Sequence, residues 1–106
     1  MAKYLYVGSY THEGAKGFVK EGAIGRRAAV AQLVESVGGK LDAMYYAFGE
    51  DDYYIIVDLP DNASAAALAA SAAQSGAVST RTVVLMTPEE MDAALKKTVH
   101  YRPPGA

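Results

Sequence analysis

Cysteine and tryptophan are absent from this 106-residue chain, and histidine occurs only twice. Without cysteine the chain can form neither a disulfide framework nor a thiolate metal site, which predicts a cytoplasmic protein. Long apolar runs are also missing, since no stretch approaches the roughly 20 residues that a membrane helix requires. Lys3, Gly8 and His12 interrupt the apolar residues near the start of the chain, so we expect neither a signal peptide nor a membrane partner.

Basic charge is not in excess either. Ten Lys and Arg residues stand against twelve Asp and Glu residues, which gives a formal net charge of −2, and the basic residues are scattered along the chain. A nucleic acid backbone would find no basic patch, so nucleic acid is not expected as a partner. The two histidines, His12 and His100, lie too far apart in sequence to form a metal motif, and we predict no metal and no cofactor.

Tyrosine, by contrast, is abundant: the chain has eight tyrosines against two phenylalanines. A tyrosine combines a large apolar area with a hydroxyl that needs a partner, so a cluster of them predicts a cavity wall or an interface. The content of 51% hydrophobic and 21% charged residues is that of an ordinary globular protein. The length predicts one domain over residues 1–106, with an irregular tail at 99–106 because Pro103 and Pro104 lack backbone donors.

The hydrophobic periodicity predicts four strands and three helices. Alternation of apolar and polar residues indicates strands over residues 4–10, 41–48, 53–59 and 77–86, the second and third forming a hairpin. Helical spacing and capping signals indicate helices over residues 26–37 and 63–73, and a third that begins at the capping box Thr87-Pro88-Glu89-Glu90. The glycine-rich residues 11–25 predict a loop with at most one helical turn.

This order is β-α-β-β-α-β followed by a C-terminal helix, which predicts an α+β, ferredoxin-like fold with both main helices on one face of a four-stranded antiparallel sheet. We expect the face without helices to be apolar. The candidates are the strand faces that carry Tyr4, Tyr6 and Tyr10, or Met44, Tyr46 and Phe48. Apolar surfaces of this extent usually mark an interaction site. The sequence therefore predicts a two-fold homodimer in which this face meets its copy.

Five short stretches carry a resemblance to a known family: the turn Phe48-Gly49-Glu50-Asp51-Asp52, and the stretches Asp58-Leu59-Pro60-Asp61, Gly38-Gly39-Lys40-Leu41, Thr87-Pro88-Glu89-Glu90 and Tyr101-Arg102-Pro103-Pro104-Gly105. Together they resemble the GYD-domain family of small bacterial proteins, in which a Gly-Tyr-Asp or Gly-acidic-Tyr-Asp turn joins the second and third strands. The tyrosine that names this motif is Asp51 here, so a role that rests on its hydroxyl does not carry over. The resemblance implies a ferredoxin-like, dimeric α+β barrel and no particular reaction.

Several residues are candidates for a functional site. The side chains of Tyr4, Tyr6, Tyr46 and Tyr54 would orient a flat aromatic ligand if they line a closed barrel, and they would otherwise form the dimer core. Arg26 shares a helix face with Val30 and Leu33, so its guanidinium would hold an anion or form a structural ion pair.

The acidic and histidine side chains are weaker candidates. The carboxylates of Glu50, Asp51 and Asp52 suit Mg²⁺ or Ca²⁺, but three consecutive residues of a hairpin cannot all face one ion, and turn propensity already explains them. His12, in a loop after the first strand, is a weak candidate for a catalytic base.

The sequence thus predicts a homodimeric α+β barrel protein that binds a small apolar or aromatic molecule in a tyrosine-lined pocket. Two alternatives stay open: a cofactor-independent monooxygenase or isomerase of the dimeric α+β barrel type, and a haem-binding protein. The first alternative is supported only by analogy of fold, and a fold does not determine the reaction that a protein catalyses.

Overall fold

A computed structural model describes residues 1–106, which form one four-stranded sheet and four helices. In chain order the elements are β1 (Ala2–Tyr10), α1 (His12–Glu21), α2 (Ala23–Glu35), β2 (Lys40–Tyr46), β3 (Tyr53–Leu59), α3 (Asn62–Ser75), β4 (Val78–Leu85) and α4 (Pro88–Leu95). None of the four helices combines the length and the apolar character needed to cross a bilayer.

The sheet order is β2-β3-β1-β4, and every neighbouring pair is antiparallel. The two strands that follow each other in the hairpin are adjacent, while β1 lies between β3 and β4. This is the strand order of the ferredoxin-like arrangement, so the predicted α+β fold is confirmed. A register shift between Leu41 and Ala43 marks a bulge in β2, after which Met44 lies opposite Ile55.

The glycine-rich residues 11–25 are helical, and the prediction of a loop there was wrong. Thr11 caps α1 by accepting a hydrogen bond from the Gly14 backbone N–H, and Gly22, with φ of 84°, separates α1 from α2. Because only a glycine adopts that conformation readily, Gly22 is the single residue that breaks one long helix into two. The helix predicted over residues 26–37 therefore begins three residues earlier, at Ala23, and ends at Glu35.

The other helix signals are confirmed. The Asp61 side chain accepts a hydrogen bond from the Ser64 backbone N–H at 2.8 Å, as an N-cap does, and Gly76 ends α3 in the left-handed conformation. Thr87 and Glu90 form the reciprocal capping box at the start of α4, with Pro88 in the first turn. Alanine-rich α3 buries Ala65 and Leu68 against the sheet.

The two faces of the sheet are the reverse of what the tyrosine pattern predicted. Tyr4 and Tyr6 are buried in the hydrophobic core with Val30 and Val34 of α2 and Leu68 of α3. The register places Tyr4 beside Val57, and Met44 beside Ile55, on this same helix-covered face. The faces of Tyr4, Tyr6 and Tyr10, and of Met44 and Tyr46, are therefore covered by the chain's own helices, and Phe48 lies in the hairpin turn, fully exposed.

The face without helices carries the alternate residues of each strand. We call it the open face, and its apolar residues are Leu5, Val7, Ala43, Tyr45, Tyr54, Ile56, Val83 and Leu85. Val7 is buried at the centre of the open face, between its register neighbours Tyr54 and Arg81. Tyr45 and Tyr54 are exposed. An uncovered apolar face does exist, but it consists mostly of aliphatic residues rather than tyrosines.

Candidate functional site

The candidate site is a cleft between the helix-covered face of the sheet and helices α2 and α3. An inner cavity of about 80 Å³ lies there, and its walls are mostly apolar, with Val30, Leu33 and Val34 from α2 and Leu68 from α3. Its polar groups are few: the hydroxyls of Tyr6, Tyr10, Tyr53 and Thr80, and the guanidinium of Arg26. An apolar pocket with a small number of polar groups is the common form of a small-molecule site.

A wider groove of about 430 Å³ adjoins the inner cavity, between α1 and α3. The side chains that line both spaces are those of Tyr10, Arg26, Leu33, Ala72 and Val78. Because Tyr10 and Arg26 belong to both linings, they stand where the cavity opens into the groove.

Tyr10 is held by aromatic and backbone contacts at the end of β1. Its ring stacks on Phe18 of α1, with 4.8 Å between ring centroids and 13° between planes, and its centroid lies 5.6 Å from that of Tyr53. The Tyr10 backbone N–H donates to Asp52 Oδ2 at 2.9 Å. Burial raises the pKa of the Tyr10 phenol above its usual range, and the neighbouring Tyr46 hydroxyl adds to the shift. The phenol is therefore a neutral hydrogen-bonding group at neutral pH.

Tyr53 reaches the cavity because β1 has a glycine opposite it. Gly8 is its register partner, and a Cβ at Gly8 would overlap the Tyr53 phenol and the Ser79 carbonyl oxygen. The missing side chain leaves room for the Tyr53 phenol over Gly8, near Thr80, which also lines the cavity. Burial raises the pKa of the Tyr53 phenol, while the nearby Thr80 hydroxyl acts in the opposite direction.

Arg26 supplies the positive charge of the site. It lies in the first turn of α2, is half-buried, and forms an ion pair with Glu21 at 3.6 Å between Nη1 and Oε1. Its charge lowers the pKa of both Tyr10 and Tyr53, although burial outweighs this effect. Both phenols therefore lie within electrostatic reach of the guanidinium. A cation beside two neutral phenols is suited to an anionic or strongly accepting ligand group.

The structure brings only some of the predicted ligand-binding residues together. Tyr6 and Arg26 line the cavity, whereas Tyr46 lines neither the cavity nor the groove, and its ring centroid lies 5.0 Å from that of Phe18. Tyr4 is buried beneath α3, with its hydroxyl donating to Asn62 Oδ1, and Tyr54 lies on the open face. The four predicted tyrosines therefore do not share one wall, because the strand alternation that joins Tyr4 to Tyr6 turns Tyr54 to the opposite side.

Tyr6 has a structural partner as well as a place in the cavity lining. Its hydroxyl donates to the Ala65 carbonyl oxygen at 2.7 Å, so the phenol joins β1 to α3 across the core. Burial raises its pKa. The group available to a ligand is therefore the ring of Tyr6 rather than its hydroxyl.

Sequence reasoning did not assign Tyr10, Tyr53 and Thr80 to the site. The signal for Tyr10 was present, because it continues the alternation of Tyr4 and Tyr6. The signal for Tyr53 was Gly8, whose missing side chain leaves room for the Tyr53 ring. That Gly8 lies opposite Tyr53 is known only from the register of β1 and β3. Thr80 carries no local signal, since a strand threonine is ordinary.

The histidines and the acidic turn lie outside the cleft. His12 is exposed in the first turn of α1 and His100 is exposed in the tail, and neither lines the cavity or the groove. The carboxylates of the turn point to different partners: Asp52 accepts from the Tyr10 backbone, and Asp51 faces Arg81 at 3.7 Å. Asp52 also donates its own backbone N–H to the Gly8 carbonyl oxygen at 2.8 Å, so this residue fixes the hairpin to β1.

A comparison with protein-family models matches residues 4–95 to the GYD domain. The chain belongs to the GYD-domain family. The match spans β1 from Tyr4 onward and every later strand and helix, and it leaves residues 1–3 and 96–106 outside. No curated protein and no solved structure matched the chain.

Within the GYD-domain turn, the aspartate that closes the motif is Asp52, whose two hydrogen bonds to β1 place Tyr10 at the cavity mouth. The preceding residue, Asp51, is directed toward Arg81 at the margin of the open face. In this GYD-domain protein the turn therefore fixes the hairpin to β1, and its carboxylates line neither the cavity nor the groove.

Proposed function

We propose that this GYD-domain protein binds a small apolar or aromatic molecule that carries one anionic or accepting group. The observation that supports this is the lining of the inner cavity, which is mostly apolar and includes Arg26, Tyr10, Tyr53 and Thr80. The apolar part of the ligand would gain from burial at roughly 25 cal/mol per Å². Its accepting group would meet the guanidinium and the phenols.

The size of the cleft limits how the ligand lies. The inner cavity, at about 80 Å³, is smaller than the roughly 150 Å³ cavity that admits benzene in an engineered protein core. It accommodates an alkyl group or the edge of a ring. The body of the ligand would lie in the outer groove of about 430 Å³, against Tyr10 and Phe18. A ligand in this pose stacks on aromatic side chains while its anionic group approaches Arg26.

Titration with an aromatic anion, 1-naphthoate, tests this proposal by calorimetry. Replacing Arg26 by Gln removes the charge-assisted contact, which is worth about 1.5–3 kcal/mol, so we expect roughly 10- to 100-fold weaker binding. Arg27→Gln is the matched control, because Arg27 is the adjacent residue of α2, is exposed, and lines neither space. Equal affinities of the two variants, or no binding by the native chain, would contradict the proposal.

The two alternative functions have less support from the geometry. An isomerase or a cofactor-independent monooxygenase needs a base within hydrogen-bond reach of its substrate, and His12 lies outside the cleft. Tyr10 and Tyr53 have raised pKa values, so they are donors rather than bases at neutral pH. A haem-binding protein commonly uses a proximal histidine, and neither histidine lines the cavity. Binding is therefore the function that we propose.

We further propose that two copies pair through the open face to form the dimeric α+β barrel. The open face places eight apolar side chains on one side of the sheet, and no helix of the same chain packs on them. Uncovered apolar patches of this kind usually mark interfaces, and a two-fold axis lets the same face serve both copies. Lys3, at one end of the open face, forms ion pairs with Asp42 at 3.0 Å and Asp58 at 2.8 Å. Its positive charge is therefore already paired within the chain.

The remaining expectations on partners and location follow from composition. The cytoplasm is the proposed location, because a chain without cysteine gains nothing from an oxidising compartment. The net charge of −2 gives no basis for proposing nucleic acid as a partner. The proposed partners are thus a small molecule and a second copy of the chain.

A further inference from the structure

The ion pair of Glu21 and Arg26 joins the end of α1 to the start of α2 across the break at Gly22. Glu21 is the last residue of α1, and a Cβ added at Gly25 would lie 3.2 Å from the Glu21 Cγ, so this glycine leaves room for the Glu21 side chain beside α2. The Arg26 backbone N–H donates to the Gly22 carbonyl oxygen at 3.0 Å. Packing and a backbone hydrogen bond thus keep the two charged residues close to each other.

The ion pair itself is weak. Arg26 Nη1 and Glu21 Oε1 are 3.6 Å apart, which is longer than a hydrogen bond, and both side chains are more than a third exposed. Exposed ion pairs of this kind contribute little to stability. The helix dipoles oppose both charges as well, because Glu21 stands at the C-terminal end of α1 and Arg26 in the first turn of α2. The guanidinium therefore has a partner that a better-placed anion can replace.

Glu21 also belongs to the surface on which the proposed ligand lies. The charged residues that line the outer groove are Glu13, Glu21 and Arg26. Of these three, Arg26 alone also lines the inner cavity. An anionic group bound at Arg26 in the groove would therefore lie near the Glu21 carboxylate, which has the same sign of charge and contacts the same guanidinium.

We infer that Glu21 is an internal competitor for Arg26, and that the anionic group of the ligand must displace it. This rests on the proposed function. A ligand carboxylate can form two parallel hydrogen bonds with a guanidinium, whereas Glu21 contacts a single nitrogen at 3.6 Å. A neutral acceptor, such as an amide oxygen, forms a weaker hydrogen bond and gains less from displacing a charged partner. The ion pair thus narrows the proposed ligands to those with a carboxylate or a similar anion.

Calorimetric titration with 1-naphthoate tests this inference. Replacing Glu21 by Gln frees Arg26 and removes a like charge, so the variant should bind naphthoate roughly three- to tenfold more tightly than the native chain. Glu13→Gln is the matched control, because Glu13 lines the same groove and pairs with Lys16 rather than with Arg26. Its affinity should stay within about twofold of the native value.

The outcomes separate this inference from the proposed function. An unchanged or lower affinity in Glu21→Gln, or an equal gain in Glu13→Gln, would overturn the inference. If naphthoate still binds the native chain and Arg26→Gln still weakens that binding, the proposed function stands without it. If the native chain does not bind naphthoate, both fail.

A ligand of opposite charge, 1-naphthylmethylammonium, gives a second readout. Replacing Arg26 by Gln leaves the Glu21 carboxylate without its partner, so this variant should bind the ammonium at least about threefold more tightly than the native chain does. The double variant, with Glu21→Gln added, should bind the ammonium more weakly than Arg26→Gln alone. Equal affinities of the single and double variants would show that Glu21 does not act on the ligand, and the inference would fail.

Discussion

At the scale of single residues, the cleft is lined by tyrosine phenols that are buried or partly buried and stay protonated. Tyr53 is 5% exposed, and Tyr10 is partly buried against Phe18. Burial of a phenol disfavours its phenolate, so both groups keep their protons at pH values where a free tyrosine loses them. This protonation makes them dependable donors to a ligand acceptor beside Arg26.

The raised phenol pKa values predict a loss of stability in alkali. A group whose pKa is raised on folding contributes stability that is fully present below its unfolded pKa of 10.0 and is lost as the pH rises through the folded pKa. Unfolding in urea at pH 8 and at about pH 11 should therefore show a smaller alkaline loss for Tyr10→Phe than for the native chain. The difference is at most about 1.4 kcal/mol per pH unit, and smaller because solvent screens the partly exposed ring.

Tyr101→Phe is the control for this titration, because Tyr101 is exposed in the tail. This variant removes one exposed phenol and leaves the buried aromatic cluster unchanged. An identical alkaline loss for Tyr10→Phe and the native chain would contradict the assignment of a raised pKa to Tyr10.

At the scale of elements, three glycines of residues 11–25 differ in what surrounds them. Gly22 breaks the helix, and Gly14 lets α1 approach the backbone of Ala77. A Cβ added at Gly17 would meet no other atom. Thr11 adds two hydrogen bonds to that junction, from its N–H to the Ala77 carbonyl oxygen at 2.9 Å and from its hydroxyl to that of Gly76 at 2.8 Å. Helix α1 is thus docked at the start of β4, where it forms one wall of the outer groove.

Two alanine substitutions one turn apart on α1 should have opposite effects. In Gly14→Ala the new Cβ would overlap the Ala77 carbonyl oxygen, so α1 must shift, at a cost of about 1–3 kcal/mol in the free energy of unfolding. Gly17→Ala meets no atom and improves helix propensity, so it should stabilise the protein by about 0.5–1 kcal/mol. Urea denaturation measures both. Destabilisation of similar size in the two variants would show that close packing at Gly14 is not the cause.

These glycines also explain what sequence patterns can and cannot predict. Helix propensity counts each glycine as unfavourable, and the loop prediction followed from four of them in fifteen residues. The close approach of α1 to Ala77 is a tertiary contact, and it is absent from any local pattern. The strands, the hairpin, the Asp61 cap and the Thr87 capping box depend on neighbours in sequence, and for that reason they were predictable.

The faces of the sheet show the same limit. Alternation correctly grouped Tyr4 with Tyr6 and separated them from Leu5 and Val7. It could not say which group the helices cover, because both groups are apolar. Tyrosine on the helix side is accommodated by polar partners on α3, namely Asn62 and the Ala65 carbonyl oxygen, and these partners are known only from the packed structure. The predicted ligand residues were mixed for the same reason, since Tyr6 lies on the face that carries the cleft and Tyr54 lies on the opposite face.

At the scale of the whole molecule, the chain has one well-formed core and one apolar surface outside it. The core joins α2 and α3 to the inner residues of β1 and β3, and it contains no unpaired buried polar side-chain atom. The open face has no such cover. A second copy would convert this face into interior while leaving the cleft of each chain intact, because the cleft lies on the opposite side of the sheet.

Dimerisation through the open face predicts that thermal stability depends on protein concentration. If the folded dimer is the stable species, mass action raises Tm as the concentration increases. Ile56→Lys places a charge at the middle of the open face, on β3, where pairing would bury it without a partner. We expect this variant to show a single-chain mass by light scattering and a Tm that does not change over a hundredfold range of concentration, about 1 to 100 μM.

Val19→Lys is the matched control, because Val19 is an apolar residue of α1 that is 79% exposed and far from the open face in the fold. It should keep the dimer mass and the concentration dependence of the native chain. A native Tm that is constant over the same range would remove the dimer. A dimer that persists in Ile56→Lys but dissociates in Val19→Lys would move the interface to the helical side of the molecule, where it would cover the groove instead of leaving it open to a ligand.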